Sequence, residues 1–364
     1  MSHEALKFSR AAVDRAGRVL VDKEAAQDAI DNAFDVLANW RSSHAFPLNT
    51  ITMDLRQRVN RVLPTALVVQ RLKRTRSILA KLSKESSMRL TQMQDIGGCR
   101  AVVETIDEVY KLRDAYKRSK SLHEFIAEDD YILCPKLSGY RSLHLVYRFK
   151  SRSHPEYDKL LFEIQLRTKM QHAWATAVET VGAVIGQALK SSEGERNWLI
   201  FFQNAALALE FSEQPGAAPH TATSRGTIAR SLAELAKRLQ VSAKLKAYRT
   251  ALKATEKLDA KSAGYFLLIL LPDEPELQII AFSKRNVDAA YREYERYERL
   301  LPQNPRGRQL PLFPELADYS GAQAVLVGAD SFKSIRESYP NYYLDTDAFL
   351  ENVERFVRRY RRAS

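Results

Sequence analysis

The chain has few cysteines, no long apolar run and no zinc-binding cysteine pattern. Only Cys99 and Cys134 occur among 364 residues, and neither has a CxxC partner or a nearby His/Cys set. This argues against a disulfide framework or structural zinc and suits a reducing cytosol. The N-terminus lacks a signal-peptide core, and the longest apolar run, Phe266 to Leu271, is too short to cross a bilayer. We therefore expect a soluble cytoplasmic protein with no membrane partner.

Positive charge is in excess and is concentrated in one segment. The formal net charge is +12, and residues 56–89 hold ten Lys or Arg against one acid, Glu85. Such a block suits polyphosphate or RNA, because each neutralised phosphate releases a bound counterion. A solvated helix face is the plainer interpretation of a basic block, but the specific spacing within this one favours binding.

The pattern along the chain predicts four parts. Apolar residues at helical spacing predict an N-terminal helical region over 1–65, interrupted at 46–49. Strands alternating with helices over 66–190 predict a sheet domain of the α/β or α+β class. Residues 191–260 are predicted to be a helical linker region. Residues 261–364 repeat the mixed pattern and predict a separate small α/β domain.

The first candidate constellation is RLKRTRSILAKL, residues 71–82, within a helix predicted over 66–84. Residues at i, i+4 and i+8 share one helix face. On that face the sequence places Lys73, Ser77 and Lys81, with Arg71 and Arg74 beside it. Cations in a row bind a triphosphate, Arg through its planar fork and Lys as a point charge.

The second constellation is a Gly-Gly turn that leads into the predicted strand 100–103. Asp95 lies just before the turn and Arg100 follows it. A carboxylate in this position can hold Mg²⁺, which takes one or two protein carboxylates plus phosphate oxygens. Taken alone, the pattern is that of an ordinary turn.

The third constellation is a predicted loop, 130–142, ahead of a strand. It carries Lys136 and Tyr140, and His144 follows on the strand. An aromatic ring beside cations on such a loop is a plausible base-stacking platform. An ordinary hairpin with a surface tyrosine is the alternative.

The fourth constellation is a charged triplet on the predicted strand 160–166 and its end. Glu163, Gln165 and Arg167 alternate, so they point to one face of the sheet. Burying these groups without partners is costly. A binding site on the open side of the sheet explains them, and a half-exposed edge strand is the alternative.

Together the four segments resemble the synthetase domain of the RelA/SpoT homologue family. The family pattern RxKxxxSIxxK is matched from Arg71 to Lys81, and its turn aspartate by Asp95. The pattern PKxxGYxSLH is matched by 135–144, and EIQxRT followed by MQxxW by 163–174. The resemblance implies an α+β fold, with a mixed-sheet nucleotidyltransferase-like synthetase domain and flanking helices.

The resemblance also implies pyrophosphokinase chemistry, in which a ribose 3′-hydroxyl attacks the β-phosphorus of ATP. Mg²⁺ would be held by Asp95 and Glu163, and Glu163 would accept the hydroxyl proton or position the hydroxyl. Tyr140 would stack on the acceptor base. The residues expected to bind ATP and its phosphates are Arg71, Lys73, Arg74, Ser77, Lys81, Arg100, Lys136, His144, Gln165 and Arg167. Because no His-Asp dipeptide occurs in the chain, we expect no alarmone hydrolase.

Two acceptors fit the resemblance: GDP or GTP in alarmone synthetases, and the 3′-CCA end of tRNA in a toxin branch that stops translation. The order of parts is similar to fused toxin–antitoxin members of the family, of the CapRel type, which end in a pseudo-zinc-finger domain. There a YxxY element, matched by Tyr339 and Tyr342, blocks the ATP site until a phage major capsid protein binds. We therefore expect a self-inhibited, anti-phage tRNA pyrophosphokinase, with an alarmone synthetase as the alternative.

Overall fold

The structure is a computed structural model of the whole chain. It describes all residues except 1–4, 64–65, 120, 185–188, 190–194, 215–222, 243–244, 246–252, 255–262, 272–275, 284–285, 301–322, 329–345 and 362–364. In that part of the chain, no helix is long and apolar enough to span a bilayer.

Helices and strands alternate after a helical start. The N-terminal helices are α1 (Arg10–Val19), α2 (Gln27–Ser42) and α3 (Ala45–Val62). The elements that follow are β1 (Leu67–Leu72), α4 (Thr75–Lys84), β2 (Gly97–Val103), α5 (Ile106–Lys117), β3 (Glu124–Asp130), β4 (Leu143–Arg148), β5 (Leu161–Thr168) and α6 (Lys169–Val184). The later elements are α7 (Arg196–Glu213), α8 (Arg225–Arg238), β6 (Lys253–Ala254), β7 (Ala263–Leu271), β8 (Glu276–Ser283), α9 (Val287–Leu300), β9 (Gln323–Gly328) and α10 (Asp347–Tyr360).

The described strands form one mixed sheet in the order β3-β4-β5-β2-β1-β9-β7-β8-β6. The pairs β2–β5 and β6–β8 are parallel, and the other pairs are antiparallel. Segregated N-terminal helices with a mixed sheet confirm the predicted α+β class.

The two faces of the sheet differ in chemistry. Side chains alternate along a strand, so Phe162, Ile164 and Leu166 of β5 lie on one face and are fully buried. They belong to the main core, which includes Leu48 and Leu55 of α3. The opposite face of β5 carries its polar residues. This alternation leaves one face of the sheet available for a site.

Two further apolar clusters flank this sheet. One joins α6, α7, α8 and α10 through aromatic residues such as Trp198, Phe202 and Phe349. The other joins β7, β9 and α9 around Leu267 and Tyr294. Residues from the last hundred positions thus contribute both to a helical cluster and to the sheet, where β9 pairs with β1.

Two sequence predictions are wrong in detail. The structure has no break at 46–49, because these residues lie in the first turns of α3. Pro47 is tolerated there as the third helical residue, where a missing N–H costs no helical hydrogen bond. The helix predicted over 66–84 is instead β1 followed by α4. The four-part division of the chain and the pseudo-zinc-finger character of the last part stay predictions.

Candidate active site

Two lysines meet one carboxylate at the end of β1. Lys73 follows β1, and its backbone N–H donates to the carbonyl of Ile96 at 2.8 Å. Its Nζ lies 2.5 Å from Oδ2 of Asp95, and Nζ of Lys81, on α4, lies 3.4 Å from Oδ1. The sequence predicted that Lys73 and Lys81 share a helix face. This is wrong, because Lys73 precedes α4 and Lys81 lies on it. The fold nevertheless brings both ammonium groups to Asp95.

The charge on Asp95 is maintained by its neighbours. Burial alone would raise the pKa of this carboxyl, but Lys73 and Lys81 outweigh burial and lower it. Nearby Glu163 acts in the opposite sense, so the two carboxylates feel each other's charge. Asp95 is thus anionic at neutral pH, and in this structure its charge is neutralised by the two lysine ammonium groups.

Glu163 is held by hydrogen bonds at both of its oxygens. Nδ1 of His144 lies 2.8 Å from Oε1, and Nε2 of Gln165 donates to Oε2 at 2.6 Å. Nε of Arg100 in turn donates to Oε1 of Gln165 at 3.2 Å. The network runs across three neighbouring strands, and it fixes the orientation of the Glu163 carboxylate.

His144 links Glu163 to Tyr140. Its Nε2 lies 2.9 Å from the Tyr140 hydroxyl oxygen. Burial lowers the pKa of His144, but Tyr140 and Glu163 more than offset this and raise it to about 9. Burial likewise opposes the charge on Glu163, yet His144 and Gln165 hold its pKa well below the ordinary value. The pair is therefore an imidazolium and a carboxylate at neutral pH.

The floor of the site is a glycine between two charged residues. In register across three strands lie Arg71 of β1, Gly98 of β2 and Glu163 of β5. A Cβ built on Gly98 would meet only the Glu163 carbonyl oxygen, at 3.6 Å. Space is thus open above the sheet between a guanidinium and a carboxylate, which suits a phosphate group.

Arg167 lies on the same strand face as Glu163 but deeper. It is only 2% exposed, and burial together with nearby Arg100 lowers the pKa of its guanidinium. The charges of Arg100 and Arg167 act on each other and add a positive field at this sheet face. An anionic ligand would relieve their repulsion.

The remaining predicted residues differ in position and in exposure. Arg74 is the residue before α4, and Ser77 lies in its first turn. Nζ of Lys136 lies 4.3 Å from the ring centroid of Tyr131. Tyr140 is 5% exposed and packs against Trp174, with ring centroids 6.4 Å apart. Tyr140 thus offers no open ring face in this conformation. Tyr339 and Tyr342 lie outside the described residues.

The donor set fits Mg²⁺. Asp95 and Glu163 both carry anionic oxygens, which this hard cation prefers, and Mg²⁺ commonly completes its shell with water and substrate phosphate. Within the described ranges no group of three or more His, Cys, Asp and Glu could hold a metal by itself. A cation held by these two carboxylates would therefore need further ligands, such as water or the oxygens of a bound phosphate.

The family described as "Region found in RelA / SpoT proteins" matches residues 70–181. GTP pyrophosphokinase YjbM of Bacillus subtilis (strain 168) is 33% identical over 115 residues, which cover 31% of this chain and 54% of that protein. GTP pyrophosphokinase YwaC of the same organism is 31% identical over 111 residues, covering 29% and 52%. The chain spans about half the length of these curated relatives.

Solved structures of similar proteins include small alarmone synthetase 1 of Bacillus subtilis bound to its product pppGpp. That protein is 25% identical, with a TM-score of 0.39, and the match covers 46% of this chain and 90% of the other. Small alarmone synthetase 2 of the same organism is 21% identical with a TM-score of 0.41, covering 50% and 95%.

Proposed function

Because residues 70–181 are a RelA/SpoT region, we propose that this chain is an alarmone synthetase. It transfers the β,γ-diphosphate of ATP to the ribose 3′-hydroxyl of GDP or GTP. One observation carries the proposal: Lys73, Lys81, Asp95 and Glu163, distant in sequence, meet beside an open floor at Gly98. The names of the similar curated proteins, GTP pyrophosphokinases, support a guanosine acceptor.

The cations are suited to hold ATP in place. Lys73 and Lys81 act as point charges, and Arg71 and Arg100 present planar forks to phosphate oxygens. In this structure the two lysines neutralise Asp95, so a bound triphosphate would share them with that carboxylate. Alignment and charge neutralisation account for most catalysis of phosphoryl transfer.

In the transfer, a bond forms between the acceptor O3′ and the β-phosphorus, while the bond from that phosphorus to the α,β-bridging oxygen breaks. AMP leaves with the electron pair. Glu163 accepts a hydrogen bond from the O3′ hydroxyl and directs it at phosphorus. Because its pKa is held low by His144 and Gln165, Glu163 orients the hydroxyl but does not keep its proton, which leaves to solvent as the new bond forms.

Mg²⁺ held by Asp95 and Glu163 would neutralise charge on the phosphates. His144 keeps Glu163 ionised and in position through its 2.8 Å contact. Gln165 fixes the second oxygen, so the carboxylate cannot rotate freely. The protein thus supplies an oriented acceptor for a hydrogen bond in a half-buried setting, where such groups act strongly.

The test is transfer of label from γ-³²P-ATP to GDP or GTP by the purified chain. We expect labelled guanosine tetra- or pentaphosphate. Lys81→Ala should lower kcat/KM for ATP about tenfold, the scale of one lost charged hydrogen bond. Lys84→Ala on the same helix, with an exposed side chain, is the matched control and should retain the wild-type value. Absence of a labelled guanosine product would refute the proposal.

The chain's net charge of +12 also favours a second acceptor, tRNA. In that case the 3′-CCA end of tRNA receives the pyrophosphate, translation stops, and the C-terminal part restrains the enzyme until a phage major capsid protein binds it. Running the same assay with tRNA, with and without capsid protein, decides between the two. Label in tRNA and none in GDP or GTP would favour the toxin.

A further inference from the structure

The loop 135–140, which leads toward β4, lies directly on α7, a helix that follows the matched region 70–181. Gly139 has a φ of 88°, and a Cβ built on it would lie 2.6 Å from Cβ of Ala206 on α7. This left-handed backbone and the close approach both require glycine. One turn earlier on α7, Nε2 of Gln203 donates to the carbonyl oxygen of Leu137 at 2.8 Å. The loop backbone thus contacts α7 at two points.

The loop moves as one unit, because backbone hydrogen bonds close it. The N–H of Gly139 donates to the carbonyl of Lys136 at 2.8 Å, and the N–H of Lys136 donates to the carbonyl of Tyr140 at 3.2 Å. The Leu137 side chain is 92% exposed, so apolar packing does not hold the tip of the loop. A shift at Leu137 is therefore passed on to Tyr140, whose hydroxyl oxygen lies 2.9 Å from Nε2 of His144 in the candidate active site.

The helix α7 is itself held by its neighbours. Nε1 of Trp174 on α6 donates to the carbonyl of Phe202 on α7 at 2.8 Å. The ring of Phe349 on α10 packs on that of Phe202, with centroids 5.8 Å apart, and all three aromatic side chains are buried. Gln203 is exposed and lies outside this packing. Its contact with the loop can therefore be removed while the core is kept.

We propose that Gln203 is a positioning residue for the acceptor nucleotide and acts through the loop that carries Tyr140. This inference rests on the proposed function, in which the acceptor hydroxyl meets Glu163. A loop that is already ordered removes part of the entropy loss from acceptor binding. The lysines expected to bind ATP, Lys73 and Lys81, depend on other contacts, so the effect falls on the acceptor rather than on ATP.

The experiment compares two amide-to-acid variants on α7 by steady-state kinetics. Gln203→Glu keeps the size of the side chain but replaces the donor with a carboxylate, which the Leu137 carbonyl oxygen repels. It should raise KM for GDP about tenfold, the upper range for one lost hydrogen bond, with little change in kcat or in KM for ATP. Asn204→Asp is the matched control, because Nδ2 of Asn204 donates to the hydroxyl of Ser231 on α8 at 2.9 Å. The control should keep all three wild-type values.

Hydrogen exchange in the loop gives a second readout, which needs no turnover. The Gly139 amide, which donates to Lys136 within the loop, should exchange about tenfold faster in Gln203→Glu than in wild type. In Asn204→Asp it should exchange at the wild-type rate. Because Gln203 is exposed, the Tm of Gln203→Glu should match that of wild type.

The outcomes separate this inference from the proposed function. An unchanged KM for GDP in Gln203→Glu, or unchanged exchange at Gly139, overturns the inference while the enzyme stays a synthetase. Equal rises in KM for GDP and for ATP also overturn it, because they indicate a general loosening of the site. If wild type labels tRNA and no guanosine nucleotide, the same comparison is made with tRNA. A rise in KM for tRNA in Gln203→Glu then supports the positioning role, although the guanosine acceptor is wrong.

Discussion

The adjacent glycines at the start of β2 give a sharp test of which sheet face binds substrate. A Cβ on Gly97 would lie 2.5 and 2.7 Å from ring carbons of Phe162, in the main core. A Cβ on Gly98 would point to the other face, with a single ordinary contact at 3.6 Å. Alanine at either position adds the same methyl group, so the two variants differ only in the face that receives it.

The two substitutions should affect stability in opposite directions. Gly97→Ala overpacks the core and should cost about 1–3 kcal/mol of unfolding free energy. Gly98→Ala should be neutral or should stabilise by about 0.5–1 kcal/mol, because alanine loses less backbone entropy on folding. Urea unfolding followed by circular dichroism measures both values.

For Gly98→Ala we expect the activity to fall although the stability does not. The methyl group of Gly98→Ala enters the space between Arg71 and Glu163, and displacing a reacting group by about 1 Å can cost about a hundredfold. We expect kcat/KM for ATP to fall between about tenfold and a hundredfold in a protein at least as stable as wild type. Full activity in Gly98→Ala would refute the placement of the triphosphate on this face.

Three other predictions follow from buried charges. Glu210→Ala should cost about 3–5 kcal/mol in urea unfolding, because it leaves Arg141, 3.5 Å away and 4% exposed, without its carboxylate; Glu210→Gln should cost less. Arg41→Lys should raise KM for ATP, because Nε of Arg41 donates to the carbonyl oxygen of Lys73, just before α4, at 2.9 Å. The Arg41 guanidinium also lies 4.6 Å from the ring centroid of Tyr294, and unchanged kinetics would contradict this prediction. His144, with its pKa raised to about 9, should stabilise the fold fully below pH 6.5 and progressively less as pH rises through 9; in His144→Gln this part of the pH dependence of the unfolding free energy should vanish.

The sequence predicted those strands that are short apolar runs bounded by turn residues. The strands β2, β4 and β5 are confirmed, and so is the placement of Glu163, Gln165 and Arg167 on one face. The period of two along β5 is a local signal, and it survives in the fold because one face must be buried.

The β1 strand was wrongly predicted as helix because its identity depends on a distant partner. Its residues Leu67–Leu72 pair with Gly97–Val102, and nothing local separates such an apolar run from the first turns of α4. The grouping of Lys73 with Lys81 was nevertheless predicted, although the shared neighbour is Asp95 rather than a helix face.

The sequence analysis did not predict the β3 strand. Its acidic sequence, EFIAEDD, has low strand propensity, and it forms an edge strand through pairing with β4. The pairing of β1 with β9 also had no local signal, because it joins segments about 250 residues apart.

The most direct test of the central claim is the single-turnover rate of Glu163→Gln with ATP and GDP bound. The account predicts that nucleotide affinity is largely kept, while transfer slows by at least about a hundredfold, since the amide cannot replace an oriented carboxylate at the attacking hydroxyl. Transfer at the wild-type rate by this variant would contradict the account.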